Sequence, residues 1–326
     1  MRNDYLTSHD VTPIMLDTKN VNELLLSINV RDVLQTMFHS LASGNATQPP
    51  QSLSVFPKDK GDFITYTGVI DTLSVFGAKL SPYIITDNKP IVTAWTYLMS
   101  SKTGQPLLCC DSSALTTERT AGTTALAISY LAPKTSRILT IIGSGEIALA
   151  HLRHALSLRE WTTIRVYSPS LVSNKEKQQA FTQIDSRVSI STSKEKAVDD
   201  SDVIMLCTSS GTPVINNDEI KSSAVVTSIS TNVANAHEIQ PSLLTEAEVY
   251  CDYKVTTPDS AGEMKIATQL GSWSKDLIRG DLSDLVAETC ELPSYTKPIF
   301  FRSLGLGLED IAIAYGVWEL LQEKDK

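Results

Sequence analysis

The stretch RILTIIGSGEIALAHLRHAL, Arg137 to Leu156, spaces Gly143, Gly145 and Ala148 as G-x-G-x-x-A between an apolar run and a helical one. That spacing suits a dinucleotide. The first glycine makes a tight turn, the second lets backbone approach a pyrophosphate, and the third small residue lets helix pack on strand. A helix N-terminus behind the loop adds unpaired N–H groups and a partial positive charge. The expected contacts are the backbones of Gly143, Ser144, Gly145, Glu146 and Ile147. A loop of this kind also serves ordinary strand-to-helix turns, so its weight comes from its surroundings. The next strand candidate, TIRVYSPS, ends at Ser168, where an NAD-specific fold often carries a carboxylate for the ribose 2′-hydroxyl. A serine does not repel a 2′-phosphate. NADPH is therefore the expected cofactor, with NADH as the alternative, and without an adjacent arginine the preference should be mild. Ser168 reads equally as a turn residue and Lys175 as a solvated helix charge. Thr208, in LCTSS, fits a cofactor contact or a hydroxyl-capped turn.

The elements around this loop alternate. RILTIIG, TIRVYSP, RVSI, VIMLCTS, AVVTSIS and AEVYCDY read as strands, with helical stretches GEIALAHLRHALSL, NKEKQQAFTQI and SKEKAVDDS among them. Alternating β and α units predict a Rossmann-type, doubly wound parallel sheet. The first third reads differently. Residues 21–43 show apolar residues three and four apart and predict one amphipathic helix. From Leu53 to Leu108, short β-rich runs separated by turn residues predict an antiparallel meander, with SSKTGQP as a hairpin turn. SSALTTERTAGTTALAISYLA predicts a long helix ending before Pro133, a natural link between domains. SLGLGLEDIAIAYGVWELLQEK predicts a loop and a helix that returns to the first domain. The expected division is an α+β domain, residues 1–113 with 304–326, and a dinucleotide domain, residues 114–303.

Composition excludes several classes. The 326 residues are 42% hydrophobic and 20% charged, with a net charge of -9, opposite to that of a general nucleic-acid or anionic-membrane binder. No apolar run is long enough for a transmembrane helix. The N-terminus lacks the charged and apolar regions of a signal peptide, so a cytoplasmic protein is expected. Five cysteines without a C-x-x-C, and five scattered histidines, point to reduced thiols and no metal site.

LTTERTAGTTALAISYLA running straight into the glycine loop resembles the ornithine cyclodeaminase/mu-crystallin family. FGAKL, KTGQPLLCCDSSALTTERTA, SISTNVANAHEIQPSLL and SLGLGLEDIAIA extend the similarity over most of the chain from about Gln51. The resemblance implies an N-terminal substrate and dimerisation domain, completed by the C-terminal helix, and hence a homodimer. It implies that Arg119 binds a substrate carboxylate, that Thr120 lies beside the cofactor, and that Lys79 assists at the substrate. It also places Ser303 and Gly305 near the nicotinamide, and Ser228, in AVVTSIS, joins the expected cofactor contacts. The chemistry fits: an arginine offers a carboxylate a bidentate fork, and a lysine in an apolar strand needs a reason. The plainer alternatives are an outward strand residue for Lys79, and for Arg119 a surface ion pair with Glu118 or Asp111.

Two departures bear on the reaction. The cyclodeaminases carry an aspartate where this chain has Asn232, and asparagine cannot accept and release a proton near neutral pH. A further family arginine is replaced by Gln51. Both speak against ornithine cyclodeamination, and Asn232 becomes a candidate catalytic position of altered role. The leading expectation is reduction of a cyclic imino acid, 1-pyrroline-2-carboxylate to L-proline, with 1-piperideine-2-carboxylate as a second substrate. The alternatives are a cyclodeaminase, an alanine-dehydrogenase-like enzyme, an opine-like or siderophore-precursor synthase, and a mu-crystallin-like binding protein. Asp310 is a candidate for supplying the proton but is read first as a helix-start charge favoured by the dipole; His237 is a second candidate donor, read first as a structural residue at a helix start; Asp252 and Glu263 are read as non-catalytic.

Overall fold

The computed structural model describes residues 12–229 and 235–324. Its contacts divide the chain into two compact units, Met1–Thr116 with Leu306–Lys326, and Thr117–Gly305.

In the first unit a sheet runs, in spatial order, Ile14–Leu16, Pro106–Asp111, Trp95–Ser100, Val75–Ile84, Gly61–Ile70, Ala46–Thr47. Ser52–Val55 also pairs with Gly61–Ile70, and Ile91–Val92 with Val75–Ile84. The Ile14–Leu16 pairing is parallel; the long central strands pair antiparallel. Strand alternation sends one set of side chains inward. Tyr66 faces Lys79, and Lys79 faces Thr96, so all three share one side of the sheet. The helix Gly307–Lys324 covers that side: the space beside Gly68 is filled by Leu308 and Ile311. The other side leaves Leu80, Trp95 and Tyr97 exposed.

The single helix expected over 21–43 is two helices, Thr18–Leu25 and Val30–Ala42. Asn29 is the reason. Its side chain accepts from the Asp32 backbone N–H and caps the second helix, and asparagine favours such a cap over a helix interior.

The second unit is a parallel sheet in the order Val188–Ile190, Thr163–Tyr167, Ile138–Ile142, Val203–Leu206, Val225–Ser228, Ile299–Arg302, Glu248–Cys251, Ile278–Asp281. Its central strands, such as Val203–Leu206, Val225–Ser228 and Ile299–Arg302, are buried on both faces, as parallel strands covered on both sides are. Ile142, Leu206, Val226, Val249 and Phe300 meet Met264 and Trp273 in one core cluster. Ile278–Asp281 and Ile299–Arg302 were not anticipated. The latter, last in sequence, inserts between Val225–Ser228 and Glu248–Cys251, which precede it in the chain.

Candidate functional site

Ile138–Ile142 ends in the glycine loop, and the helix Glu146–Ala155 starts from Gly145 with no side-chain cap. Gly143 has φ +145°, and a Cβ there would lie 2.3 Å from the Cys207 carbonyl oxygen. Glycine at this position is a requirement of the fold. Gly145 differs: a Cβ there would meet no protein atom within 4 Å. It would project into open space, so packing does not demand glycine here.

That space belongs to a cavity of about 860 Å³ lined by Gly143, Ser144, Gly145, Glu146, Ile147, Ser168 and Thr208 among others. Seven of the ten residues expected at the cofactor are thus brought together. Tyr167, Pro169, Ser170, Lys194 and Cys207 line it too and had not been singled out. The hydroxyls of Ser144, Ser168 and Ser170 lie within 3.2 Å of one another in pairs. An uncapped helix start, a bare glycine and neutral hydroxyls around one cavity fit a dinucleotide pyrophosphate and ribose.

The other three expected cofactor residues, Thr120, Ser228 and Ser303, are not among the residues lining this cavity. Glu238 is fully buried and accepts from the Thr208 backbone N–H at 2.8 Å, the Thr208 hydroxyl at 2.7 Å and the Ser228 hydroxyl at 2.7 Å. Ser228 also accepts from Arg302, whose Nε is 3.0 Å from the Glu263 carboxylate. The Ser303 hydroxyl donates to Asp252. Thr120 is buried in the helix Ser113–Leu131, and its carbonyl oxygen accepts from Thr124. Glu263 stands in the first turn of the helix Gly262–Gln269. His237 lies in irregular chain rather than at a helix start, with its ring on the Asn235 carbonyl oxygen. Asn232 lies outside the described residues.

In the first unit Lys79 is 2% exposed, and its Nζ is 2.7 Å from Asp310. Thr116 completes the group: its hydroxyl lies 3.5 Å from Lys79 Nζ and 3.4 Å from Asp310 Oδ1. The Lys79 ammonium also stands 4.3 Å from the centre of the Tyr66 ring, within cation–π range. Lys79 is therefore an inward residue. Asp310 is corrected as well: it is fully buried and pairs with Lys79 rather than resting at a helix start for the dipole alone. Buried charges survive in a low-dielectric interior only when paired and hydrogen-bonded. The alternation of DFITYTGVI could have placed Tyr66 beside Lys79; nothing local in the sequence points to Asp310.

Arg119 is 5% exposed, so it is not the surface residue of the plainer alternative. Glu118 instead holds Arg153 at 2.6 Å and His154 at 2.8 Å. The Arg119 guanidinium lies against Gly305, whose φ is +87°; a Cβ on that residue would stand 2.0 Å from Arg119 Nη1. Gly305 is in turn tied to Asp252, which accepts from the backbone N–H groups of Leu304 at 2.6 Å and Gly305 at 2.8 Å.

Residues 11–325 match the ornithine cyclodeaminase/mu-crystallin family. An NAD(P)H-dependent anabolic L-arginine dehydrogenase of Pseudomonas aeruginosa is 48% identical over 95% of this chain and 98% of its own. A Δ(1)-pyrroline-2-carboxylate reductase of Colwellia psychrerythraea is 25% identical over 69% of this chain and 72% of its own. The fold also matches Δ(1)-pyrroline-2-carboxylate reductase of Thermococcus litoralis, solved with NADH and L-proline. The TM-score is 0.86 at 22% identity, over 96% of this chain and 98% of that one. The glycine-loop cavity, the parallel sheet around it and a match over nearly the whole length place this chain in the ornithine cyclodeaminase/mu-crystallin family.

Proposed function

We propose that this chain is an NAD(P)H-dependent oxidoreductase that reduces the C=N bond of an α-imino acid, and that its product is an L-amino acid with a basic side chain. The observation that carries the chemistry is the buried Lys79–Asp310 pair. A cation this deep, with the Asp310 carboxylate and the Thr116 hydroxyl among its partners, is suited to hold and deliver a proton. Lys79 supplies the proton to the imine nitrogen, and Asp310 holds the Lys79 Nζ in place at 2.7 Å. Arg119 takes the substrate carboxylate in its bidentate fork and fixes the orientation of the reacting carbon. The nicotinamide, when bound, supplies the hydride to that carbon. A 2-oxo acid and ammonia condense to the imine with loss of water; one hydride and one proton then complete the amino acid.

The basic side chain is supported by the 48% identity with the L-arginine dehydrogenase over nearly the full length of both chains. Reduction of 1-pyrroline-2-carboxylate to L-proline, or of the six-membered analogue, is the second reading, supported by the Colwellia relative. Asparagine at position 232 argues against a lyase, because it offers no titrating group there. Ser168 at the cavity supports acceptance of NADPH, since it stands where an NAD-specific fold often carries a carboxylate that would repel a 2′-phosphate.

We also propose a homodimer in the cytoplasm. The uncovered side of the first sheet presents Leu80, Trp95 and Tyr97, 47%, 39% and 38% exposed, in register on neighbouring strands. A contiguous apolar sheet face of this kind marks an interface. Among the described residues no helix is long and apolar enough to cross a membrane, and the five cysteines are free thiols, which suits a reducing compartment.

The test is NADPH oxidation with 5-guanidino-2-oxopentanoate plus ammonia, beside pyruvate plus ammonia, the two cyclic imines, and ornithine with NAD⁺. Turnover with the guanidino acid alone favours the first reading, turnover with the cyclic imines alone the second. Ammonia release from ornithine without net cofactor change contradicts both.

A further inference from the structure

Asp252 follows the strand Glu248–Cys251 and is completely buried. One carboxylate oxygen gathers the hydroxyl of Ser303 at 3.2 Å and the backbone N–H groups of Leu304 at 2.6 Å and Gly305 at 2.8 Å. The other takes the Tyr253 backbone N–H at 2.9 Å and the Thr257 hydroxyl at 2.5 Å. The chain from 303 to 305 is thus pinned by three donors on a single oxygen. Its last residue is the left-handed Gly305, against which the Arg119 guanidinium lies; a Cβ there would stand 2.7 Å from both Cζ and Nη2 of Arg119. The guanidinium has no room to approach unless Gly305 is both bare and held where it is.

We infer that Asp252 is a positioning residue for Arg119: by fixing Ser303–Gly305 it sets the floor on which the carboxylate-binding guanidinium rests. This rests on the reading that Arg119 binds the substrate carboxylate. The charge is part of the device, because only a carboxylate offers acceptors on both sides; an asparagine presents N–H donors to one set of partners. Thr257 provides the control. It occupies the oxygen that does not touch the 303–305 chain, so its loss perturbs the same buried group without releasing the floor.

The experiment is a double-mutant cycle on the holoenzyme, reading KM for the 2-oxo or imino acid, kcat, cofactor Kd and thermal midpoint. Asp252→Asn should raise KM about ten-fold with kcat within about three-fold, the size expected for residues coupled through contact. Cofactor Kd should change less than KM, and Thr257→Val should leave KM near the wild-type value. In an Arg119→Ala background, Asp252→Asn should raise KM no further. A general loss of structure would raise KM equally in both backgrounds, and that result overturns the inference. So does an unchanged KM in folded Asp252→Asn. If Asp252→Asn does not fold, Gly305→Ala takes its place in the same cycle with the same outcomes. Arg119→Ala with an unaltered KM contradicts instead the underlying assignment of Arg119.

Discussion

Arg119 and Lys79 carry the proposed chemistry, and each has a consequence that a single substitution reads. Arg119→Ala should lower kcat/KM by about 100-fold or more, the range for removing one partner of a desolvated charge contact. Cofactor affinity should be retained, since Arg119 does not line the glycine-loop cavity; titration of NADPH by fluorescence checks this. Lys79→Met and Asp310→Asn should each lower kcat by about 100-fold, as expected for a lost proton donor. The double variant should fall no further than Lys79→Met, because the two groups act as a unit. Additive losses in kcat would separate them. At this scale the sequence was legible where function is local. The contacts expected of the glycine loop are five consecutive residues, 143–147, and the cavity collects them. Asp310 was legible only as a second choice, because its partner Thr116 lies 194 residues away in the chain and an acid in a helix's first turn already has an ordinary explanation. Asp252 and Glu238 were passed over for a similar reason: their work is to gather backbone N–H groups and hydroxyls, and no motif records that.

The helix Glu146–Ala155 shows how an element serves two masters. Its start faces the cavity and its body is buried, and the two demands predict different mutant behaviour. Gly145→Val should leave the melting temperature nearly unchanged, because a side chain there meets no protein atom. Cofactor affinity should fall by about 100-fold, the cost of misplacing a ligand by an ångström or so. His151 belongs to the buried side. Its Nδ1 donates to the Ile147 carbonyl oxygen at 2.7 Å and its Nε2 lies 3.0 Å from the Thr124 hydroxyl. Burial pushes its pKa down from 6.5 to about 4, so the folded protein keeps it neutral while the unfolded chain binds a proton below about pH 6.5. Stability from this group is complete above the unfolded value and is lost as pH falls towards 4, by about 3 kcal/mol in all. Urea unfolding at pH 7 and pH 4.5 should show a smaller difference for His151→Gln than for the wild type; equal differences would contradict this. Elements with a strong period were legible: the long helix Ser113–Leu131 and the first parallel strands lie where the pattern puts them. The break at Asn29 was hidden because apolar spacing continues through it. The four-residue strand Ile299–Arg302 was hidden because so short an apolar run has no period.

For the whole molecule, each unit carries a feature that its own fold does not consume. The parallel-sheet unit has the cavity at its glycine loop. The first unit has the buried Lys79 group on one side of its sheet and exposed Leu80, Trp95 and Tyr97 on the other. The parallel sheet and its place in the family could be read from the alternation of strands and helices and from the quoted motifs. The substrate could not, because the side-chain pocket of an amino-acid enzyme has no spacing rule. The dimer is tested by light scattering: Tyr97→Lys with Trp95→Lys should convert a dimer to a monomer, and a wild-type monomer would contradict the proposal. The central claim is that this chain moves hydride to a C=N carbon beside a carboxylate. The most direct measurement follows NADPH absorbance in the wild type and in Arg119→Ala as imine is supplied, either from 5-guanidino-2-oxopentanoate and ammonia or as the cyclic imino acids. The account predicts loss of absorbance that depends on the imine and collapses in Arg119→Ala. Cofactor that binds but is consumed with none of these imines, or consumed equally by the variant, would contradict it.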